Sequence, residues 1–152
     1  MIKKIEQKSE KSAICNKILR ELPNWFGIES AIVEYVNNVQ DMPFWAIAEK
    51  DSVIGFLAVK FHFDQSAEIY VMGVLSEYHQ KGYGKMLVDE SEKLLISQNY
   101  KYYQVKTLSD SHPHEGYAKT RKFYQSCGFV PIEEFKTLWG EANPALLMMK
   151  NL

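Results

Sequence analysis

The feature that most constrains the fold is a central segment in which a strand pattern passes through a glycine-containing turn into a helix pattern. The apolar run Ile69–Leu75 predicts a buried strand, and the amphipathic segment Met86–Ile96 predicts a helix. Gly82 and Gly84 lie in the short polar turn between them. The first amides of such a helix have no intrahelical acceptor and lie at the positive end of the helix dipole. Because glycines let a ligand approach these amides closely, the segment predicts a phosphate-binding site.

Two common phosphate-binding motifs do not fit this turn. A Walker loop requires G-x-x-x-x-G-K-S/T, which the sequence lacks. A dinucleotide fingerprint requires a third glycine where Leu87 stands, and its strand normally opens the domain. Here the turn follows segments that read as antiparallel strands. The pattern alone also leaves open a tight turn that binds nothing.

Composition and charge narrow the class of protein. A chain of 152 residues with 46% hydrophobic residues is typical of one soluble domain, which we expect to span residues 1–152. The formal net charge of −1 provides no basic field for nucleic acid. No apolar run reaches the roughly 20 residues of a membrane span, and no signal-peptide core follows the N-terminal lysines. The widely separated Cys15 and Cys127 favour a reducing cytoplasm and exclude a cysteine-built zinc site.

Hydrophobic periodicity and turn residues predict an α/β fold with a mixed, largely antiparallel sheet flanked by helices. The expected order is β-α-α-β-β-β-α-β-α-β-β, in which antiparallel hairpins precede a βαβ crossover. Gly73 predicts a bulge or a close backbone approach within the central strand, and Gly128 predicts a helix end. The predicted strands are Lys3–Gln7, Phe44–Glu49, Val53–Phe63, Glu68–Leu75, Lys101–Leu108, Phe129–Phe135 and Ala145–Lys150, and the predicted helices are Ser9–Glu21, Glu29–Val39, Gly82–Gln98 and Gly116–Cys127.

The glycine turn and this order of elements resemble the GNAT superfamily, the acetyl-CoA-dependent N-acetyltransferases. The loop of that family reads V-x-P-x-x-Q/R-x-x-G-x-G/A, and Val74, Gly82 and Gly84 are in register with it. Ser76 replaces the common proline, and His79 replaces the usual Arg or Gln. The substitution at His79 changes little, because backbone amides of any residue can hold a pyrophosphate.

A second motif of the same family, Y-x-x-x-G-F, matches residues 124–129, although Tyr117 stands where the family often has Asn. The resemblance implies a single GNAT domain that transfers an acetyl group from acetyl-CoA to a primary amine of a small molecule or peptide. Direct attack in a ternary complex is expected, since no cysteine stands where an acyl-enzyme would form. The alternative is a non-catalytic acyl-CoA-binding or regulatory module, against which Tyr124 argues because a pure binder needs no acid. A homodimer is compatible with the sequence, which does not fix the oligomeric state.

The resemblance also implies which residues hold the cosubstrate acetyl-CoA. Met72 and Val74 would pair with its pantetheine arm as an added strand, and the amides of the turn would hold the pyrophosphate. His79 can donate one hydrogen bond in place of an arginine. Lys81 and Lys85 can add charge, with solvated surface lysines as the alternative. The residues of the turn that this resemblance assigns to acetyl-CoA are His79, Gln80, Lys81, Gly82, Tyr83, Gly84 and Lys85.

By the same resemblance, Tyr124 protonates the departing thiolate, because a phenol with a reference pKa of about 10 keeps its proton at neutral pH. A backbone N–H near Gly73 would stabilise the oxyanion. Glu68, at the start of the central strand, is the expected general base, and His62 and Asp64 are the alternatives. If these residues have no catalytic role, Tyr124 is a tyrosine of the core and Glu68 is a solvated carboxylate at the strand end.

Aromatic residues in two loops predict the walls of an acceptor cleft. Trp25 and Phe26 lie between the first two predicted helices, and Trp139 lies before the last strand. Packing of Trp25 and Phe26 over the core is the alternative. His112 lies in the polar loop Asp110–Glu115, whose histidines and acids also form a weak metal-site pattern. Lining of the substrate cleft and a role at the N-terminus of the following helix are the favoured interpretations of this loop. The acidic residues around the cleft predict a cationic amine as the acceptor.

Overall fold

The protein contains seven strands and four α-helices in the order that the sequence predicts. A computed structural model describes residues 1–152. The strands are β1 (Ile2–Lys4), β2 (Phe44–Glu49), β3 (Ser52–Phe63), β4 (Ser66–Val74), β5 (Tyr102–Leu108), β6 (Val130–Phe135) and β7 (Ala145–Asn151). The helices are α1 (Lys8–Arg20), α2 (Glu29–Asn38), α3 (Tyr83–Ser97) and α4 (Glu115–Ser126), and short 3-10 helices occupy Val39–Asp41 and Ser76–Tyr78.

All seven strands form one sheet in the order β1-β2-β3-β4-β5-β7-β6. Neighbouring strands are antiparallel except β4 and β5, which are parallel because α3 connects them as a crossover. The prediction of a mixed, largely antiparallel sheet is therefore confirmed.

Helices cover the sheet on both faces through apolar stripes. On one face, α1 buries Ile18 and Leu19, which are completely inaccessible to solvent. On the other face, α3 buries Leu87, Val88 and Leu95, and α4 packs beside it. Full burial of one such side chain stabilises the fold by about 1.5–3 kcal/mol, so these stripes hold the helices against the sheet. No helix combines the length and the apolar character that crossing a membrane requires.

Turn chemistry explains most of the element boundaries. Lys50 and Asp51 have φ of 50° and 65°, the left-handed pair that a two-residue hairpin turn between β2 and β3 requires. The predicted turn is therefore confirmed at Lys50 and Asp51, whereas Ser52 already pairs with Glu49 as the first residue of β3. β4 begins at Ser66, two residues earlier than predicted, because Phe63 and Ser66 already pair across the next hairpin.

Candidate active site

The two parallel strands at the centre of the sheet separate part-way along their length. Pairing stops at Ile69 and Val105, although β4 continues to Val74 and β5 to Leu108. We call the space between the unpaired ends the β4–β5 gap. A gap within a sheet leaves backbone donors and acceptors without strand partners, so an extended ligand can pair with them. The loops that lead to α3 and α4 both start at this end of the sheet.

A bulge in β4 lies where the gap begins. Ala58 and Val59 are adjacent in β3, but their partners in β4, Val71 and Ile69, are separated by Tyr70. An extra residue bends a strand and increases its local twist. The bulge at Tyr70 therefore accounts for the departure of β4 from β5.

The prediction of a bulge at Gly73 is wrong, because Gly73 pairs with Phe56 in regular register. The alternative given for this glycine, a close approach, describes what is found. A Cβ on Gly73 would lie 2.9 Å from Leu22 Cδ1 and 3.2 Å from Ile18 Cγ2. The glycine thus lets α1 and the turn after it pack directly on the sheet.

Alternation along β4 decides which backbone groups face the gap. The Leu75 N–H donates to the Ile54 carbonyl of β3 at 2.8 Å. Groups two residues apart point the same way, so Met72 and Val74 direct their N–H and C=O groups away from β3 and toward the gap. The Val74 carbonyl accepts a hydrogen bond from His79 Nε2. His79 is therefore hydrogen-bonded to the strand that precedes its own loop. The N–H and C=O groups of Met72 face the gap without a strand partner.

The first backbone amides of α3 have no hydrogen-bond acceptor within the protein. Gly82 has a φ of 88°, no side chain caps the helix, and the first helical hydrogen bond runs from Met86 N–H to the Gly82 carbonyl. Gln80 also adopts a left-handed φ, of 59°, so the turn curls back on itself. No atom lies within 4 Å of the position that a Cβ on Gly82 would take. The conformation rather than crowding requires glycine there, and the amides lie open at the positive end of the helix.

The polar side chains of this loop are partly engaged by the protein itself. Lys85 Nζ lies 3.0 Å from Asp89 Oδ1, one helical turn away. Lys81 Nζ lies 5.6 Å from the centre of the Tyr78 ring. The Tyr83 hydroxyl donates to Glu49 of β2. Lys81 is thus the lysine of the loop that carries no carboxylate partner.

Gly84 has a packing role that the sequence did not indicate. A Cβ at this position would lie 2.9 Å from Phe123 Cζ and 3.8 Å from Met72 Cε. Gly84 therefore lets α3 approach Phe123 on α4 and brings the first turn of α3 close to the gap.

Tyr124 is fixed by the way α4 ends. The Gly128 N–H donates to the Gln125 carbonyl and the Phe129 N–H donates to the Tyr124 carbonyl, which together form a Schellman motif. Gly128 supplies the left-handed residue with a φ of 98°, as predicted. The Phe129 ring packs edge-on against Tyr124, with centroids 5.9 Å apart. The glycine and phenylalanine of the Y-x-x-x-G-F motif thus hold the tyrosine in place.

Burial sets the protonation state of Tyr124. Its side chain is 6% exposed, and burial raises its pKa well above the ordinary value, with smaller contributions from Tyr117, Cys127 and Tyr35. The phenol therefore keeps its proton at any pH near neutrality.

Glu68 is buried in a polar cluster rather than solvated at the strand end. It is 7% exposed, and its Oε1 accepts a hydrogen bond from His62 Nε2 at 2.6 Å. Its Oε2 accepts one from Lys106 Nζ at 3.0 Å, and Gln104 Nε2 lies 3.4 Å from Oε1. Both carboxylate oxygens thus already have donors. His62, the alternative general base, is thus a hydrogen-bond partner of Glu68, the expected base. Asp64, the other alternative, lies outside this cluster.

An aromatic surface lies beside Glu68 on the α1–α2 face. Phe26 packs edge-on against Tyr35, with centroids 6.1 Å apart, and Tyr35 packs edge-on against Tyr70 at 5.3 Å. Burial raises the pKa of Tyr35 to about 12, with smaller contributions from the neighbouring tyrosines and from Glu34 and Glu68.

Trp25 lies between the two loops that leave the gap. Its ring is 5.4 Å from that of His79, and its Cε2 lies 3.2 Å from where a Cβ on Gly116 would be. The Trp25 carbonyl accepts a hydrogen bond from the Tyr117 hydroxyl at 2.6 Å. Trp25 is therefore partly buried against α4, so one side of its ring system is already in use.

His112 lies in the loop between β5 and α4, and Trp139 lies in the loop between β6 and β7. His112 lines a depression of about 440 Å³ together with Ser111, Glu134, Lys136 and Glu141. Its Nδ1 is buried without a hydrogen-bond partner, and its ring is 6.4 Å from that of His114. Trp139 is 41% exposed in the β6–β7 loop. No group of three or more His, Cys, Asp or Glu side chains is arranged to hold a metal ion.

Four residues at this site were not singled out from the sequence: Tyr35, Tyr70, Gln104 and Lys106. The last two depend on strand register. Gln104 lies opposite Glu68, and Lys106, one alternation further along β5, falls on the same face. The alternation of side chains in β5 predicts that Gln104 and Lys106 share one face of the sheet. The sequence contains no signal for the register of β5 against β4, which brings that face to Glu68.

The chain was compared with known families and structures. It matches the model of the family described as the acetyltransferase (GNAT) domain over residues 40–131, which is more than half of the chain. The protein therefore belongs to the GNAT acetyltransferase family. It is 29% identical over 107 residues to an uncharacterized N-acetyltransferase of Chlorobaculum tepidum, and the match covers 70% of this chain and 61% of that relative.

Solved structures show the same fold. An acetyltransferase assigned to the GNAT family from Desulfovibrio desulfuricans superposes with a TM-score of 0.82 at 14% identity, covering 99% of this chain and 98% of that one. An aminoglycoside 6′-N-acetyltransferase complexed with coenzyme A superposes with a TM-score of 0.77 at 17% identity, covering 99% and 96%.

Proposed function

We propose that this protein transfers an acetyl group from acetyl-CoA to a primary amine of a small molecule or peptide by direct attack in a ternary complex. The observation that carries the proposal is the β4–β5 gap, with free helix amides at its end and the buried Tyr124 on the helix that follows β5. Family membership and the coenzyme A complex of an enzyme with the same fold support it.

The residues at the gap fit the parts of acetyl-CoA. The amides from Gly82 to Lys85 suit a pyrophosphate, because they lack acceptors and nothing fills the space at the Gly82 Cα. The backbone of Met72 suits the amides of the pantetheine arm, which would pair with β4 as a short strand. Val74 can join this pairing when His79 turns away from its carbonyl. The thioester would then lie near the bulge at Tyr70.

The surface beside Glu68 suits a cationic amine. The carboxylate of Glu34 is exposed near Tyr35, and aromatic faces attract cations. Lys60 shows this attraction of a cation to an aromatic face, since its Nζ lies 5.9 Å from the centre of the Tyr70 ring. An amine acceptor on these rings would reach the gap from the face opposite α3.

Three proton and charge movements are needed for the transfer. The amine loses a proton, for which Glu68 is our candidate acceptor. The carbonyl oxygen gains negative charge and needs a donor, which a backbone N–H of β4 beyond the bulge can supply. The thiolate gains a proton, for which Tyr124 is our candidate donor. The carbon–sulfur bond breaks as the carbon–nitrogen bond forms.

The cysteines favour direct attack over an acyl-enzyme. Cys15 is completely buried, and burial raises the pKa of its thiol to about 12. Cys127 is 7% exposed, and burial raises its pKa as well. Since the thiolate is the nucleophile, neither thiol is prepared to accept an acetyl group.

Release of free thiol from acetyl-CoA across a panel of amines tests the proposal, and Tyr124→Phe tests its chemistry. The variant keeps the ring and deletes the donor, so turnover should fall about a hundredfold or more, the usual contribution of a general acid. Coenzyme A affinity, measured by calorimetry, should not change. Wild-type turnover with an unchanged pH profile would show that water protonates the thiolate. Tight binding of acetyl-CoA without thiol release from any amine would favour a non-catalytic binding module.

A further inference from the structure

Two hydrogen bonds fasten the segment Asn24–Phe26, between α1 and α2, to the N-terminus of α4. His114 Nε2 lies 2.9 Å from the Asn24 carbonyl, and the Tyr117 hydroxyl donates to the Trp25 carbonyl at 2.6 Å. Gly116 makes room for this contact, because a Cβ there would lie 2.8 Å from His114 Cε1 and 3.2 Å from Trp25 Cε2. The segment is therefore held by α4 through its backbone as well as by packing.

The same segment reaches the other side of the β4–β5 gap. Trp25 packs edge-on against His79, whose Nε2 donates to the carbonyl of Val74 at the end of β4. α4 follows β5 in the chain, whereas His79 follows β4. The segment therefore contacts residues that follow β4 as well as residues that follow β5, and it spans the gap between these two strands.

The partners of His114 select one protonation state. Its Nδ1 accepts a hydrogen bond from the Tyr117 N–H at 3.2 Å and caps α4, so this nitrogen must carry a lone pair. Its Nε2 faces the Asn24 carbonyl, which can only accept, so this nitrogen must carry the hydrogen. These two contacts require the neutral imidazole with its proton on Nε2.

We propose that His114 is a positioning residue that, in its neutral form, holds the segment Asn24–Phe26 across the β4–β5 gap, and that protonation of His114 releases it. The inference rests on the proposed function, because the gap is where acetyl-CoA would bind. A proton on Nδ1 would face the Tyr117 N–H and would place a positive charge at the positive end of α4. The ring would lose its fixed position on the helix, and the contact with Asn24 depends on that position.

The groups that face His114 are largely uncharged. Tyr117, whose ring is 5.0 Å away, stays neutral because burial raises its pKa to about 12. Asn24 and Trp25, on the segment packed against His114, carry no charge. His112 on the preceding loop and Glu115 on the helix are the charged or titratable neighbours. Imidazoles titrate between about pH 5 and 8, so acidification within this range is the relevant perturbation.

His114→Asn separates the two roles of the imidazole. An asparagine at the N-cap keeps a side-chain acceptor for the first turn of α4 but is too short to reach the Asn24 carbonyl. Tyr117→Phe removes the second fastening and leaves the imidazole intact. Lys119→Ala, an exposed substitution on the same helix, is the matched control.

Two readouts test the proposal: ¹⁵N NMR of the histidine nitrogens and the Tyr117 amide, and the KM of the best amine, each at pH 8 and pH 5.5. In the wild type and Lys119→Ala, acidification should protonate Nδ1 of His114, shift the Tyr117 amide and raise the amine KM about two- to tenfold, the usual worth of a lost hydrogen bond. In His114→Asn, the KM should already be raised at pH 8, and its rise on acidification should be smaller than in the wild type. Tyr117→Phe should raise the KM and keep the response.

A hydrogen found on Nδ1 at pH 8, or an unchanged pH response of the KM in His114→Asn, would overturn the proposal. The NMR readout needs no turnover. If no amine is acetylated, the proposed function fails, whereas a Tyr117 amide that follows His114 protonation would still support the fastening.

Discussion

Replacement of Gly82 by valine tests whether the bare amides of α3 hold the pyrophosphate. At a φ of 88°, an L side chain costs about 1–2 kcal/mol, and valine is among the least tolerant residues. A chain of this length loses about 2–4 °C of Tm per kcal/mol, so we expect a Tm lower by about 2–8 °C. The turn should also relax away from this conformation and misdirect its amides. A hydrogen bond to a charged group is worth about 1.5–3 kcal/mol, so losing one should weaken coenzyme A binding about ten- to a hundredfold.

The chain contains a matched control for this experiment. Gly140, in the β6–β7 loop, has a φ of 89° and, like Gly82, no atom within 4 Å of the Cβ position. Gly140→Val should therefore lower the Tm by a similar amount and leave the calorimetric affinity for coenzyme A unchanged. If Gly82→Val lowered the Tm as the control does but bound coenzyme A with wild-type affinity, the turn would not be the pyrophosphate site.

Two further predictions concern ionisable groups. Glu68→Gln keeps the shape of the base and removes its charge, so the acidic limb of the kcat/KM profile should disappear; an intact limb in this variant, with a lost limb in His62→Gln, would transfer the role to His62. Burial raises the pKa of Tyr35 to about 12, so between about pH 10 and 12 the folded protein keeps a proton that the unfolded chain loses. The stability due to this proton is present below about pH 10 and is lost as the pH rises through that window, by up to about 1.4 kcal/mol per unit. Urea unfolding at pH 9 and pH 11 should show a smaller loss in Tyr35→Phe, and an equal loss would mean that Tyr35 ionises as easily in the folded protein as in the unfolded chain.

Local chemistry made the fold and part of the site predictable. The order of strands and helices follows from hydrophobic periods and turns that act over a few residues, such as the left-handed pair Lys50–Asp51. The position of Tyr124 was predictable for the same reason, because Gly128 and Phe129 terminate the helix and hold the ring within one turn of it. The bulge at Tyr70 was not predictable, because a tyrosine within an apolar strand is not a turn signal.

The contacts that define the surroundings of Glu68 depend on register across long stretches of chain. α3 separates β4 from β5, and the parallel pairing of Glu68 with Gln104 determines that Lys106 meets the carboxylate. Slipping β5 by one residue would turn Lys106 to the other face and leave Glu68 buried without its cation. A buried carboxylate that loses its partner is strongly destabilising, so this ion pair itself favours the observed register.

That ion pair also changes which charges can attract the acceptor. The acidic residues around the cleft are the argument from the sequence for a cationic amine, and Glu68 is one acidic residue of the site. Lys106 now lies 3.0 Å from Glu68, so the two charges largely compensate each other at a distance. Glu34 is exposed and still raises the pKa of Tyr35 and Tyr70. Attraction of the amine therefore falls mainly to Glu34 and the aromatic faces beside it, while Glu68 remains placed to receive its proton.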